Sequence, residues 1–116
     1  IYVANVDEKG NWKRPEAIAA VNTADDEGAV CFSPDGKTMY LTVCPTHPQY
    51  PRPARIYTSA RADASWSKPQ PLELLSDTLS NIAHPAISPD GRWLYFVSDM
   101  PGGEGDRFVA RRTQGE

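Results

Sequence analysis

The chain has 116 residues, a formal net charge of -3 and 40% hydrophobic residues, which suffices for one small domain. No run of like charge exceeds Asp25-Asp26-Glu27, which argues against a basic nucleic-acid footprint, and no stretch approaches the roughly 20 apolar residues of a membrane-spanning helix. Eleven prolines and eight glycines call for many turns and short elements, which favours strands over helices.

Ile1 to Asn5 reads as a strand and Trp12 to Ala17 as another. Lys13, Arg14 and Pro15 mark an exposed edge, because proline lacks a donor and lysine discourages edge pairing. A chain opening on Ile1-Tyr2-Val3, without an initiator methionine, is expected to begin mid-strand, so the lack of a targeting segment carries no information. Ile18 to Asp26 leads to a short strand at Ala29 to Phe32. Ser33-Pro34-Asp35-Gly36 then has turn chemistry at each position: Pro34 pre-sets φ, Asp35 bonds the local backbone and Gly36 tolerates φ > 0.

Lys37 to Val43 is the next predicted strand, with Met39 and Leu41 on one face and Thr38, Tyr40 and Thr42 on the other. Both faces are bulky, so the strand is expected to lie between two neighbouring sheets. Cys31 and Cys44 flank this hairpin. Counted from the turn, Cys31 falls beside Thr38 and Cys44 about six residues on, ~20 Å away and beyond disulfide reach. Two free thiols are expected. Arg55 to Ser59 and Trp66 to Leu72 complete the unit, with Lys68 and Pro69 again at an outer edge. In the connection from Glu73 to Ala83, Leu74 to Asp77 suits one helical turn.

The pattern then returns. Ser33-Pro34-Asp35-Gly36 recurs 55 positions later as Ser88-Pro89-Asp90-Gly91, between strands expected at Pro85 to Ser88 and Arg92 to Ser98. Leu94 and Phe96 replace Met39 and Leu41, while Trp93, Tyr95 and Val97 take the opposite face. Arg107 to Arg111 is a third strand. Ile1-Tyr2 matches Ile56-Tyr57 at the same offset, and Trp12 matches Trp66 one residue short of it. Residues 1–28 thus read as the end of one unit, 29–83 as a complete unit and 84–116 as three strands of the next. Four antiparallel strands per ~50–55 residues, repeated, describe an all-β protein of β-propeller blades. About two blades are present where closure takes at least four, so the chain is expected to be an excerpt of a larger ring, with the remaining blades as its neighbours.

The wording of the repeat, His84-Pro85-Ala86-Ile87-Ser88-Pro89-Asp90-Gly91-Arg92-Trp93-Leu94-Tyr95-Phe96 and Val30-Cys31-Phe32-Ser33-Pro34-Asp35-Gly36-Lys37-Thr38-Met39-Tyr40-Leu41, resembles the WD40-like (PD40 or TolB-type) propeller repeat of bacterial envelope proteins. Pro101-Gly102-Gly103-Glu104-Gly105 is similar to the glycine-rich loop that often follows it. Where that family commonly has Asp-Ile-Tyr in the third strand, this chain has Arg55-Ile56-Tyr57 and Arg107-Phe108-Val109. The resemblance implies a periplasmic or outer-membrane-associated setting, in a group that includes chains joined to OmpA-like domains.

Chemistry-bearing residues are few. No Gly-x-Ser-x-Gly elbow exists, and Ser33 and Ser88 are turn residues, so no catalytic set is assigned. His84 is expected just before a strand, packing or hydrogen-bonding at a blade end. Asp25, Asp26 and Glu27, or Asp99, Glu104 and Asp106, match no calcium-loop spacing and read as solvated acids. No Cys-x-x-Cys pair points to zinc. No metal and no cofactor is assigned. Trp12, Trp66 and Trp93 read as packing elements.

Pro45-Thr46-His47-Pro48-Gln49-Tyr50-Pro51-Arg52-Pro53 stands outside the repeat, and its prolines make it stiff and extended. His47, Tyr50 and Arg52 on such a segment bind a protein partner with little ordering cost. The leading expectation is a non-catalytic scaffold or protein-binding module. The alternatives are the propeller of a prolyl-oligopeptidase-like serine peptidase and a propeller with a small ligand or metal in its channel.

Overall fold

The computed structural model describes residues 1–23, 25–45, 53–63, 65–73 and 81–99, together with the backbone of 107–112. Ten strands and no helix occur among these residues, and every strand pairing is antiparallel. β1 (Tyr2–Val3) pairs with β2 (Glu16–Ala17) in a small first sheet. The central sheet runs β3 (Asp26–Phe32), β4 (Thr38–Cys44) and β5 (Arg55–Ala62), and both β6 (Ser65–Trp66) and β7 (Gln70–Pro71) pair with β5. The last sheet is β8 (Ile82–Ile87), β9 (Trp93–Ser98) and β10 (Arg107–Arg112), with β9 in the middle. The two Ser-Pro-Asp-Gly hairpins therefore belong to separate sheets.

Several boundaries differ from expectation. β3 starts at Asp26 rather than Ala29 and β8 at Ile82 rather than Pro85, so the divisions after residues 28 and 83 fall inside strands. The Ser33 N–H donates to the Thr38 carbonyl at 2.9 Å, which puts Cys31 opposite Tyr40 instead of Thr38. Cys44 then lies four residues along the strand, ~13 Å away and still out of disulfide range. Both thiols are free. Expected strands 12–17 and 66–72 are broken: the first keeps an isolated Val6–Trp12 bridge and β2, the second splits into β6 and β7. The prolines at 15 and 69, which have no N–H to donate, sit in the interruptions. A hairpin not anticipated from the sequence joins β1 to Trp12, where Asp7 Oδ1 accepts from the Lys9 and Asn11 N–H groups at 2.9 Å and Gly10 takes φ +83°. Residues 74–77 lie outside the described residues.

Period-two alternation sends the two faces of β4 into different cores. Met39, Leu41 and Val43 are buried with Val21, and Ile1, Ile18, Tyr57 and Trp66 pack against them. On the other face Tyr40 packs against a second buried cluster of Ile56, Ile82, Leu94 and Phe96, joined by Leu72 and Ile87. Each fully buried Leu, Ile or Phe side chain contributes about 1.5–3 kcal/mol. Part of one arrangement recurs in the two clusters. Ile1 and Ile18 meet Met39 and Leu41 as Ile56 and Leu72 meet Leu94 and Phe96. Ile1 and Ile18, flanking β1 and β2, thus pack on β4 much as Ile56 of β5 and Leu72 just beyond β7 pack on β9.

Candidate functional site

The two Ser-Pro-Asp-Gly turns are near-duplicates. Ser33 Oγ donates to Asp35 Oδ1 at 2.6 Å and accepts the Thr38 N–H at 3.0 Å; Ser88 Oγ donates to Asp90 Oδ1 at 2.6 Å and accepts the Trp93 N–H at 3.0 Å. The Lys37 and Arg92 N–H groups bond the same carboxylate oxygens at 2.9 and 3.0 Å. Gly36 at φ +72° and Gly91 at φ +76° complete turns closed by 2.8 and 2.9 Å backbone bonds to Ser33 and Ser88. Pro34 and Pro89 occupy the positions that need a fixed negative φ. The serine hydroxyl bonds, reinforced by the backbone N–H bonds, hold both carboxyls below the ordinary aspartate range. Both hydroxyls are thereby engaged in turn structure.

A Cβ placed on Gly91 would lie 3.4 Å from the ring of Pro34. The turns of the central and last sheets therefore sit side by side and present the ionised Asp35 and Asp90 on one rim. At the same strands' centres lies a second repeated feature. The β3–β4 register slips between Gly28 and Val30, the β8–β9 register between Ala83 and Ala86. Ala29 (φ +45°) and His84 (φ +56°) occupy these bulges, 55 positions apart. His84 is thus inside a strand and not before it. Its side chain is exposed, and its N–H donates to Thr42 Oγ1 of the central sheet at 3.0 Å. On β3, burial pushes the Cys31 thiol up to about 11 against the opposing effect of a backbone hydrogen bond from Ile87.

Glu27 accepts from both the N–H and the hydroxyl of Thr23, and Asp99 accepts from Asn81 N and Nδ2 at 2.7 and 2.8 Å. Asn81 Oδ1 in turn accepts the Ala54 N–H at 2.8 Å, tying the start of β5 to the last sheet. Among the described residues no three His, Cys, Asp or Glu side chains gather as metal ligands; Glu104 and Asp106 lie outside them. His47, Tyr50 and Arg52 also lie outside the described residues. Their segment's flanks, Pro45 and Pro53, are at the end of the central sheet remote from Ser33–Gly36.

A groove of about 570 Å³ separates the first and central sheets, walled by Val3, Ile18, Phe32, Met39 and Trp66 with Arg61 at its side. The Phe32 and Trp66 rings are 5.8 Å apart and tilted by 47°, and the Arg61 guanidinium stands 5.9 Å from the Trp66 centroid. Ile87, the repeat partner of Phe32, instead closes onto the second core. The tight β5–β6 hairpin sets Arg61 opposite Trp66. Trp66 packs as expected, whereas Trp12 and Trp93 are exposed, which corrects their reading as packing elements. No protein-family model, curated protein or solved structure matches the chain.

Proposed function

We propose that the chain forms blades of a β-propeller that acts as a non-catalytic scaffold and protein-binding module. The observation that supports this most directly is the twofold recurrence of one sheet-on-sheet contact, from Ile1 and Ile18 on Met39 and Leu41 to Ile56 and Leu72 on Leu94 and Phe96. Repeating such a contact builds a stiff stack whose loops hold fixed positions, the arrangement in which binding residues work without further ordering. His47, Tyr50 and Arg52 are the residues assigned to the protein partner. On the wording of the repeat, the setting is the bacterial envelope, periplasmic or outer-membrane-associated.

The test combines affinity capture with activity-based labelling of the protein from its own cells. A partner should co-purify with the wild type and be lost from a His47→Ala, Tyr50→Ala, Arg52→Ala triple variant whose circular dichroism is unchanged. Retention of that partner by the folded triple variant removes the loop from the proposal. Labelling of the protein by a fluorophosphonate probe replaces the scaffold with a serine hydrolase.

A further inference from the structure

We infer that Ser33 and Ser88 shield the Asp35–Gly36 and Asp90–Gly91 bonds from isoaspartate formation, each turn being a latent modification site that opens with its Ser–Asp hydrogen bond. These are the two Asp–Gly bonds of the sequence, which has no Asn–Gly bond. In the modification the Gly nitrogen attacks the Asp side-chain carbon. An N–Cγ bond forms, the Cγ–OH bond breaks, and the N–H proton leaves with the hydroxyl as water. Solvent water then opens the cyclic imide at one of its two carbonyls. Opening at Cγ restores aspartate; opening at the main-chain carbon routes the backbone through the side chain and lengthens it by one carbon. Glycine favours the attack because no Cβ hinders its nitrogen. A Cβ on Gly36 would meet no heavy atom within 4 Å, and Asp35 and Asp90 are exposed to the water that the reaction uses. The turns nevertheless require this pair of residues. Gly36 and Gly91 stand at φ +72° and +76°, and each aspartate accepts the bonds that shape its turn.

The folded turn opposes the attack at both reacting atoms. The nucleophile is engaged, since the Gly36 N–H donates to the Ser33 carbonyl at 2.8 Å and the Gly91 N–H to the Ser88 carbonyl at 2.9 Å. The electrophile is held away from it. Asp35 Oδ1 takes the Ser33 hydroxyl at 2.6 Å and the Lys37 N–H at 2.9 Å; Asp90 Oδ1 takes the Ser88 hydroxyl at 2.6 Å and the Arg92 N–H at 3.0 Å. The backbone is also turned the wrong way. Asp35 and Asp90 keep negative φ at the third position of turns closed by those Gly–Ser bonds, the type I geometry with ψ near 0°. Ring closure needs Cβ and the Gly nitrogen eclipsed about the Cα–C bond, whereas at such a ψ the Gly nitrogen eclipses the aspartate's own nitrogen. The Ser–Asp bond acts a second time through charge. It holds both carboxyls below the ordinary aspartate range, and an ionised carboxyl has no hydroxyl to lose. Each serine oxygen is itself fixed by the N–H of the next strand, from Thr38 and from Trp93 at 3.0 Å.

The test ages the 116-residue chain at neutral pH, digests it and measures the isoaspartyl share at Asp35 and at Asp90 by electron-transfer fragmentation. The readout is the ratio of the two shares within one molecule, so a general loosening of the fold cancels. Ser33→Ala should raise the share at Asp35 roughly tenfold relative to Asp90, the factor that one hydrogen bond to a charged group commands. Ser88→Ala should raise Asp90 relative to Asp35 by the same factor. Ser33→Thr, which keeps the hydroxyl, should age as wild type does. Wild type unfolded in urea should gain isoaspartate at both bonds faster than the folded chain. A ratio that either alanine variant leaves unchanged overturns the proposal, whether both shares stay low or both rise, because the serine is then not the shield. A Ser33→Thr that ages like Ser33→Ala does so too, as does a folded wild type that ages as fast as the chain in urea.

Discussion

Replacing Thr42 by valine removes a hydroxyl that joins the central sheet to the last. Thr42 is 6% exposed, and its Oγ1 accepts the His84 N–H at 3.0 Å. Valine keeps the shape, and the repeat already places valine at the equivalent position, Val97. The substitution removes a hydrogen bond worth ~1 kcal/mol net and leaves a part-buried donor whose desolvation adds ~1 kcal/mol. The extra buried methyl returns ~0.8 kcal/mol, so Thr42→Val should destabilise by about 1 kcal/mol. For a chain of this size that is a fall of about 4 °C in the melting temperature. Amide hydrogen exchange gives the sharper readout: His84 N–H should exchange roughly fivefold faster in Thr42→Val, matching a loss of about 1 kcal/mol. Thr42→Ser, which keeps the oxygen, should leave that amide slow. Equal His84 exchange in wild type and Thr42→Val would show that the hydroxyl does not bridge the sheets.

Ala29→Gly and His84→Gly should each stabilise the fold by a few tenths to ~1 kcal/mol in urea unfolding, because glycine relieves a left-handed backbone that costs an L-residue ~1–2 kcal/mol. Destabilisation by both would place these residues at ordinary negative φ. Asp35→Ala and Asp90→Ala should lower the melting temperature at neutral pH. A depressed folded-state pKa contributes stability above the ordinary aspartate value of 3.8 and loses it as the pH falls through the folded value, so the gap to wild type should narrow on acidification. A gap independent of pH contradicts the ionised-turn account. With iodoacetamide at pH 8, exposed Cys44 should be modified well before Cys31, whose pKa near 11 leaves on the order of one thiol in a thousand ionised. Equal rates for the two cysteines would mean that Cys31 is not shielded.

The parts legible in the sequence are those where side-chain chemistry acts on neighbouring backbone. Ser33, Pro34, Asp35 and Gly36 each specify one element of a turn, and the structure repeats it at Ser88 to Gly91 with the same bonds. Alternation likewise separated Met39 and Leu41 from Tyr40, and β4 is packed on both faces. The bulges were not legible, since neither alanine nor histidine announces a positive φ; only pairing with β4 and β9 forces it at Ala29 and His84. That missed feature also explains the earlier starts of β3 and β8. The Phe32, Arg61 and Trp66 groove depends on how far two sheets close over one another, which spacing along the chain does not encode.

Sheet packing also decides where a binding surface can lie. β4 sends Met39, Leu41 and Val43 to one core and Tyr40 to the other, so the faces of the central sheet are consumed in holding the stack together. A sheet used this way offers a ligand its ends and edges, besides the groove left open beside Phe32 and Trp66. Of these, the turn rim is fixed by paired Ser–Asp bonds, and the opposite end is anchored where Asn81 links Asp99 to Ala54. Both ends of the central sheet are therefore held by side-chain hydrogen bonds in addition to the strand ladder.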